Sequence, residues 1–194
     1  MAKNKIRPGV YVYPMPVSLI GTMVKGKPTF MALAWINVVE YKPPLIMIST
    51  FENHYTNIGI KENQTFSVNI PSEGMVEVTD YVGIVSGKEV DKSEVFEVFY
   101  GDLKTAPMIQ HAPINLECKV VKSFNTKEVS EAEKGHEIFI GKVVGAYADE
   151  YYLSNGIPDI TKVKPFIFSI DNKYWKIGEF LGNAFSLGKN LKKK

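Results

Sequence analysis

The chain has 194 residues, 45% of them hydrophobic and 23% charged, which is the balance of an ordinary globular protein with one domain. A net charge of +2 demands neither nucleic acid nor an anionic membrane as partner. One cysteine, Cys118, excludes an internal disulfide and a Cys-rich metal site.

The opening MAKNKIRPGV has no apolar h-region, and no apolar run approaches the roughly 18 residues that cross a bilayer, so the expectation is a cytoplasmic protein with no membrane contact. Val10–Val12 and Val17–Val24 read as strands separated by Pro14 and Pro16. Lys25-Gly26-Lys27-Pro28 is a turn, because glycine tolerates positive φ and proline presets its own. Thr29–Ile36 is the returning arm of that hairpin and Leu45–Ser49 the next strand. A short helix is expected within Asn53–Asn63, capped by Asn53 or Thr56. Phe66–Ile70 is again a strand, stopped by Pro71.

Met75, Val78, Val82 and Val85 recur at near-helical spacing, which predicts an amphipathic helix over Gly74–Val85 ended by Ser86-Gly87-Lys88. In Ile114–Val120 the apolar residues occupy every second position and Asn115, Glu117 and Lys119 alternate with them, the pattern of a half-buried strand. Glu137–Tyr147 is long and β-like, with Gly141 and Gly145 as points of bulging or curvature. Phe166–Ile170 is the last clear strand. Residues from about 171 to 194 read as a C-terminal arm of a single domain, with the basic KNLKKK as a solvated tail. Six or seven antiparallel strands with few helices predict a mainly β protein, a closed or nearly closed Greek-key barrel.

Several segments stand in a recognisable order: PVSLIGTM (Pro16–Met23), MALAW (Met31–Trp35), YKPPLIMIS (Tyr41–Ser49), NHYTNIGIKEN (Asn53–Asn63), FSVNIP (Phe66–Pro71) and DYVGIVSGKEVDK (Asp80–Lys92). In that order and spacing the chain resembles the flavin reductase-like family, and within it the flavoredoxin branch, from about Val12 to about Gly188. The resemblance implies an FMN-binding split barrel with FMN held at a homodimer interface. The Val10–Pro16 arm and the Lys173–Leu187 tail are apolar enough to cross that interface.

FMN requires donors or charge for its phosphate, polar partners for its ribityl chain and an apolar slot for its ring. With Arg7 the only arginine, the phosphate must be met by lysine, histidine, hydroxyls or backbone N–H groups. Ser49, His54 and Thr56, with the start of the helix beside them, match the region of the family that meets the phosphate. Singly, His54 also fits a surface loop histidine and Thr56 a helix cap. For the ring, the matching segments are Pro16, Ser18, Leu19 and Ile20, then Met31, Ala32, Leu33, Ala34 and Trp35. Ala32 and Ala34 would let a planar ring approach the backbone, Ser18 could donate to a ring carbonyl or N5, and Trp35 could equally be barrel core. Where the family usually carries Asn, this chain reads Thr29-Phe30-Met31. Where the family carries Cys in D-Y-C-G, this chain has Val82, which cannot supply thiol chemistry. Lys92 either neutralises phosphate or the reduced ring, or forms an exposed pair with Asp91.

His54, His111 and His136 are the only histidines, and no nucleophile–base–orienter set is evident; His136 reads as structural or exposed. No catalytic residue beyond the flavin site and no metal site is therefore expected. No G-x-G-x-x-G follows a strand, so NAD(P)H, if used, would stack directly on the flavin. Three functions remain in view: a flavoredoxin-type electron carrier serving a redox partner protein, an NAD(P)H-dependent flavin reductase releasing reduced FMN, and, remotely, a non-enzymatic barrel binding module. Acidic residues number 21 and are interspersed, so no basic stripe for nucleic acid is visible.

Overall fold

The computed structural model describes residues 2–189 and 191. Of the basic tail, positions 190 and 192–194 lie outside them. Residues 2–14 are exposed and form no strand, so the strand expected at Val10–Val12 is absent; pairing begins at β1 (Met15–Pro16). The main sheet contains β2 (Ser18–Val24), β3 (Lys27–Leu33), β4 (Ile36–Glu40), β5 (Leu45–Phe51), β6 (Thr65–Ile70), β9 (Ile114–Asn125) and β10 (His136–Tyr147), in the order β3-β2-β6-β9-β10-β5-β4. Its recorded pairings are antiparallel. Lys25 and Gly26, at φ 51° and 75°, make the tight turn between β2 and β3.

The two edge strands, β3 and β4, are consecutive in the chain, separated only by Ala34 and Trp35. A two-residue link spans roughly 10 Å at most, so a seven-stranded sheet with these edges must curl until they nearly meet. The curled interior holds one cluster, Ile20, Met31, Ile46, Ile48, Phe66, Val68, Cys118 and Phe139 with Ile60 of the helix after β5, and Leu33 and Ile36 from the two edge strands pack against it. No ladder joins β3 to β4, so a seam remains where the barrel would close. The single long strand expected over Thr29–Ile36 is broken at this seam, and the Trp35 carbonyl accepts instead from the Ser49 N–H at 2.9 Å. Register shifts at Ile140/Gly141 and Val143/Gly145 bend β10 at the two glycines marked by the sequence.

Helix α1 (Thr56–Asn63) follows β5, and α2 (Val76–Ile84) follows β6 after a single 3-10 turn. Two short strands, β7 (Val98–Phe99) and β8 (Met108–Ile109), belong to a segment laid across the outside of the sheet. With α2 it buries the outer residues Leu19 and Phe30 in a second cluster that includes Val82, Ile109 and Ala112. That segment corrects the half-buried reading of β9: Asn115 and Glu117 are buried as well. Glu117 accepts from Leu103 N–H (2.8 Å), Asp102 N–H (3.3 Å) and Tyr147 O–H (2.7 Å). Asn115 donates to Asn69 Oδ1 and the Ile109 carbonyl.

Beyond β10 come the small hairpin β11 (Leu153–Ser154) and β12 (Ile157–Pro158), then helix α3 (Ile160–Val163). The final hairpin pairs β13 (Phe166–Ser169) with β14 (Lys173–Lys176), and β13 also pairs with β1. Strand β14 was not visible in the sequence pattern. Among the described residues no helix is long and apolar enough to cross a membrane.

Candidate flavin site

The seam opens into a cleft of two chambers, about 440 Å³ and 200 Å³, with Ala32, His54, Gly83 and Ile84 lining both. The larger chamber is floored by Ala32, Leu33, Ala34 and Trp35, the residues at which β3 gives way to β4. Ser49, Phe51 and His136 wall it on the β5–β10 side, and Phe168, Asn172 and Tyr174 on the side of the last hairpin. Small residues shape its inner edge: a side chain built on Gly83 would already touch Ala32 Cβ at 3.4 Å. The Tyr174 hydroxyl donates to Asp80 of α2 at 3.0 Å, fastening the hairpin to the helix, and burial with the Asp80 charge raises its pKa to about 12. Trp35 remains 43% exposed at the mouth.

The smaller chamber lies at the start of α1. Tyr55 precedes the helix without any side-chain cap, and the Asn57 and Ile58 N–H groups of the first turn donate to the His54 and Tyr55 carbonyls, each at 3.1 Å. Thr56 is 3% exposed and lines this chamber; among the described residues the buried side-chain group without a partner is not its hydroxyl but that of Thr79 in α2. Lys92 is 4% exposed and lines it too. The Lys92 ammonium donates to the Val82 carbonyl at 2.7 Å and the Phe30 carbonyl at 3.2 Å. Val82 lies in the last turn of α2, where carbonyls lack helical partners, so the lysine caps that end. Two of its three donors are thus engaged, and no carboxylate pairs with it among the described residues. The exposed Asp91–Lys92 pair considered from the sequence is not formed. Asp91 turns outward to Lys27 at 2.5 Å and leaves Lys92 buried. Burial lowers the Lys92 pKa to about 8.

His54 stands between the chambers, with Nδ1 3.1 Å from Met31 Sδ. Burial, then the charges of Lys92 and His136, push its pKa below the ordinary 6.5, which disfavours a standing positive charge on the imidazole. The cleft therefore gathers Met31, Ala32, Leu33, Ala34, Trp35, Ser49, His54, Thr56 and Lys92. It does not gather the rest. Leu19 and Ile20 point into the two cores, and the backbone of β2 near them is bonded to β3 on one side and β6 on the other. Ser18 is fully buried with its hydroxyl given to the Leu33 carbonyl at 3.0 Å, so it offers a ring no donor. Pro16 pairs with Ile167, and only its neighbour Val17 reaches the cleft. Phe51, His136, Phe168, Asn172 and Tyr174 escaped the sequence reading. His136 arrives by cross-strand pairing with Phe51, and Phe168, Asn172 and Tyr174 arrive on the distant last hairpin.

A buried ammonium without a counter-ion among the described residues, with the Thr56 hydroxyl and the start of a helix lining the same chamber, suits a phosphate monoester. An apolar slot with aromatic walls suits a planar ring. Those features fit a flavin nucleotide. The comparison with known proteins places the chain in a class on its own grounds: residues 10–158 match the flavin reductase like domain. The chain belongs to that family and so to the flavin-associated redox proteins. Among solved structures it is similar to the flavoredoxin of Methanosarcina acetivorans, at 47% identity over 98% of this chain and 100% of that one, with a TM-score of 0.91. It is also similar to the flavoredoxin of Desulfovibrio vulgaris (Miyazaki F), at 34% identity over 97% and 100%, with a TM-score of 0.85. An uncharacterized protein of Archaeoglobus fulgidus is 28% identical over 152 residues, 77% of this chain and 81% of that one.

Proposed function

We propose that the chain is a flavoredoxin-type flavoprotein that holds FMN in this cleft and passes electrons through it. The observation that carries the reading is Lys92, a buried cation without a protein counter-ion among the described residues, lining one chamber with Thr56 at the first turn of α1. That set is matched to a terminal phosphate monoester and explains how a chain without a second arginine meets one. Ala32 to Trp35 would hold the ring, with Phe51 and His136 excluding water from one side. FMN, when bound, supplies reversible electron and hydride transfer at its ring. The protein's part is to bind, orient and shield it.

The exposed side of Trp35 and the uncovered apolar residues at both ends of the chain support a second copy as the missing wall. Tyr11, Tyr13, Trp175, Phe180 and Phe185 are all exposed. A homodimer with FMN at its interface is thus part of the proposal, as are NAD(P)H or a redox partner protein as electron donor or acceptor. The open mouth also keeps the second reading in play, in which FMN exchanges and the protein releases it reduced as an NAD(P)H-dependent flavin reductase. Titrating flavin-free protein with FMN and riboflavin tests the site. FMN should bind about a hundredfold or more tighter, since hydrogen bonds to a charged group are worth about 1.5–3 kcal/mol each. Equal affinities would contradict the phosphate assignment. Catalytic turnover of FMN in large excess would favour the reductase, and stoichiometric reduction the carrier.

A further inference from the structure

Phe51 stands between two imidazoles. Its ring centroid is 6.4 Å from that of His54, at 65°, and 5.5 Å from that of His136, at 78°. His136 also lies on Trp35 at 4.7 Å, tilted by 31°. All four rings line the larger chamber. Neither imidazole belongs to an ion pair among the described residues, and the contact of His54 is with a thioether, a weak acceptor.

The charged groups around the pair are Lys92, Asp80, Glu52 and Glu137, and none forms an ion pair with either imidazole. Lys92 lies beyond His54 and repels added positive charge. Across the cleft, Asp80 lines the chamber, accepts from the neutral Tyr174 hydroxyl and keeps its charge, but it forms no ion pair with either imidazole. Glu52, next to Phe51, pairs with Lys127 at 2.8 Å, and Glu137, next to His136, pairs with Lys61 at 2.7 Å. A proton placed on His54 thus meets no carboxylate in an ion pair, and the charges of Lys92 and His136 disfavour it. Negative charge on an occupant of the cleft would act on the imidazoles from closer than any ion-paired carboxylate of the chain.

We infer that His54 and His136 form a proton-accepting pair coupled to the redox state of the flavin, an inference that rests on FMN occupying the cleft. A hydride donor delivers two electrons and one proton to the ring and leaves oxidised, and the ring gains one negative charge. The pair then draws one proton from solvent, which offsets that charge; no bond to the ring is made. The depressed proton affinity of His54, caused by burial, Lys92 and His136, fits a group poised to take up a proton when negative charge arrives beside it.

The test is the midpoint potential of the FMN-loaded protein between pH 7 and 8.5, in wild type and in His54→Gln/His136→Gln. Wild type should show a span in which the oxidised-to-reduced ratio at fixed potential changes about a hundredfold per pH unit, or about 59 mV for two electrons. The double variant should show about tenfold per unit, or about 30 mV. Groups that merely shape the chamber would shift the potential and leave its slope unchanged. Equal slopes in two FMN-loaded proteins would therefore overturn the pair and leave the FMN reading standing. In wild type alone, the imidazole proton resonances at pH 7.5 give an independent readout. One histidine should move to its protonated position on reduction of the bound flavin, and unmoved resonances would also overturn the inference. Failure of wild type to bind FMN would bring down both readings.

Discussion

Lys92 is where stability and ligand affinity should pull in opposite directions, and Lys92→Met exposes both. Burial lowers the lysine's pKa from 10.5 to about 8. At about 1.4 kcal/mol per pKa unit, a charge at this position is about 3 kcal/mol costlier than in water. The sign follows from proton counting. Between pH 8 and 10.5 the unfolded chain keeps the proton and the flavin-free native state has lost it, so native stability rises with pH across that window and this contribution is flat below it. Urea unfolding of flavin-free wild type should therefore gain about 3 kcal/mol from this group over that range, and Lys92→Met should not. At pH 7 the variant is relieved of the buried charge but leaves the Val82 and Phe30 carbonyls without their donor, which returns about 1–3 kcal/mol of the gain. Its FMN affinity should fall about a hundredfold, with riboflavin unaffected. Wild-type FMN affinity should decline about tenfold per pH unit above pH 8, because the ligand selects the protonated lysine, and the variant should lose that dependence. Matching pH profiles and matching FMN affinities in the two proteins would refute the reasoning.

Glu117 is a buried carboxylate; burial alone would raise its pKa, but the Leu103, Tyr147 and Asp102 donors outweigh burial and hold it below its ordinary value. Its stabilisation is present at neutral pH and is lost as pH falls through the carboxylate range. Glu117→Gln should thus cost about 1–3 kcal/mol at pH 7 by urea unfolding, with the gap narrowing toward pH 4. A side chain on Gly59 would collide with the Met23 carbonyl and approach Thr22 Cγ2 to 2.7 Å, prising α1 from β2. Gly59→Ala should lower stability by about 1–3 kcal/mol and weaken FMN with it, both read in a thermal melt with and without ligand. Light scattering should return about twice the 21.8 kDa chain mass for the purified protein; a concentration-independent monomer with full flavin affinity would contradict the shared site.

The barrel strands were legible because their ends are punctuated by residues with one backbone meaning. Lys25-Gly26 could only turn, and Gly141 and Gly145 could only weaken or bulge a strand. The break at Ala34–Trp35 was hidden, since MALAWI is an unbroken apolar run. What interrupts it is the demand that two sheet edges meet across a short link, a property of the whole topology. The polar face of β9 looked solvated because alternation cannot show that a segment 14 and 15 residues earlier, at Leu103 and Asp102, folds back over Glu117. Strand β14 is four residues of mixed character and gains its identity from pairing with β13; only Asp171-Asn172, with Asn172 at φ 60°, hinted at the turn. The site divides along the same line. Ala32 to Trp35, Ser49, His54 and Thr56 lie on consecutive elements and travelled together in the sequence. His136 and Tyr174 reach the cleft through long-range pairing, and Lys92 was ambiguous until its neighbour Asp91 was seen to choose Lys27.

The central claim is that this cleft holds FMN, and the chromophore itself tests it most directly. Protein purified without added flavin, or incubated with FMN and desalted, should be yellow. On denaturation it should release a chromophore with the mass of FMN, close to one per chain. A colourless protein that takes up no FMN, or one that releases only a dinucleotide, would contradict the account.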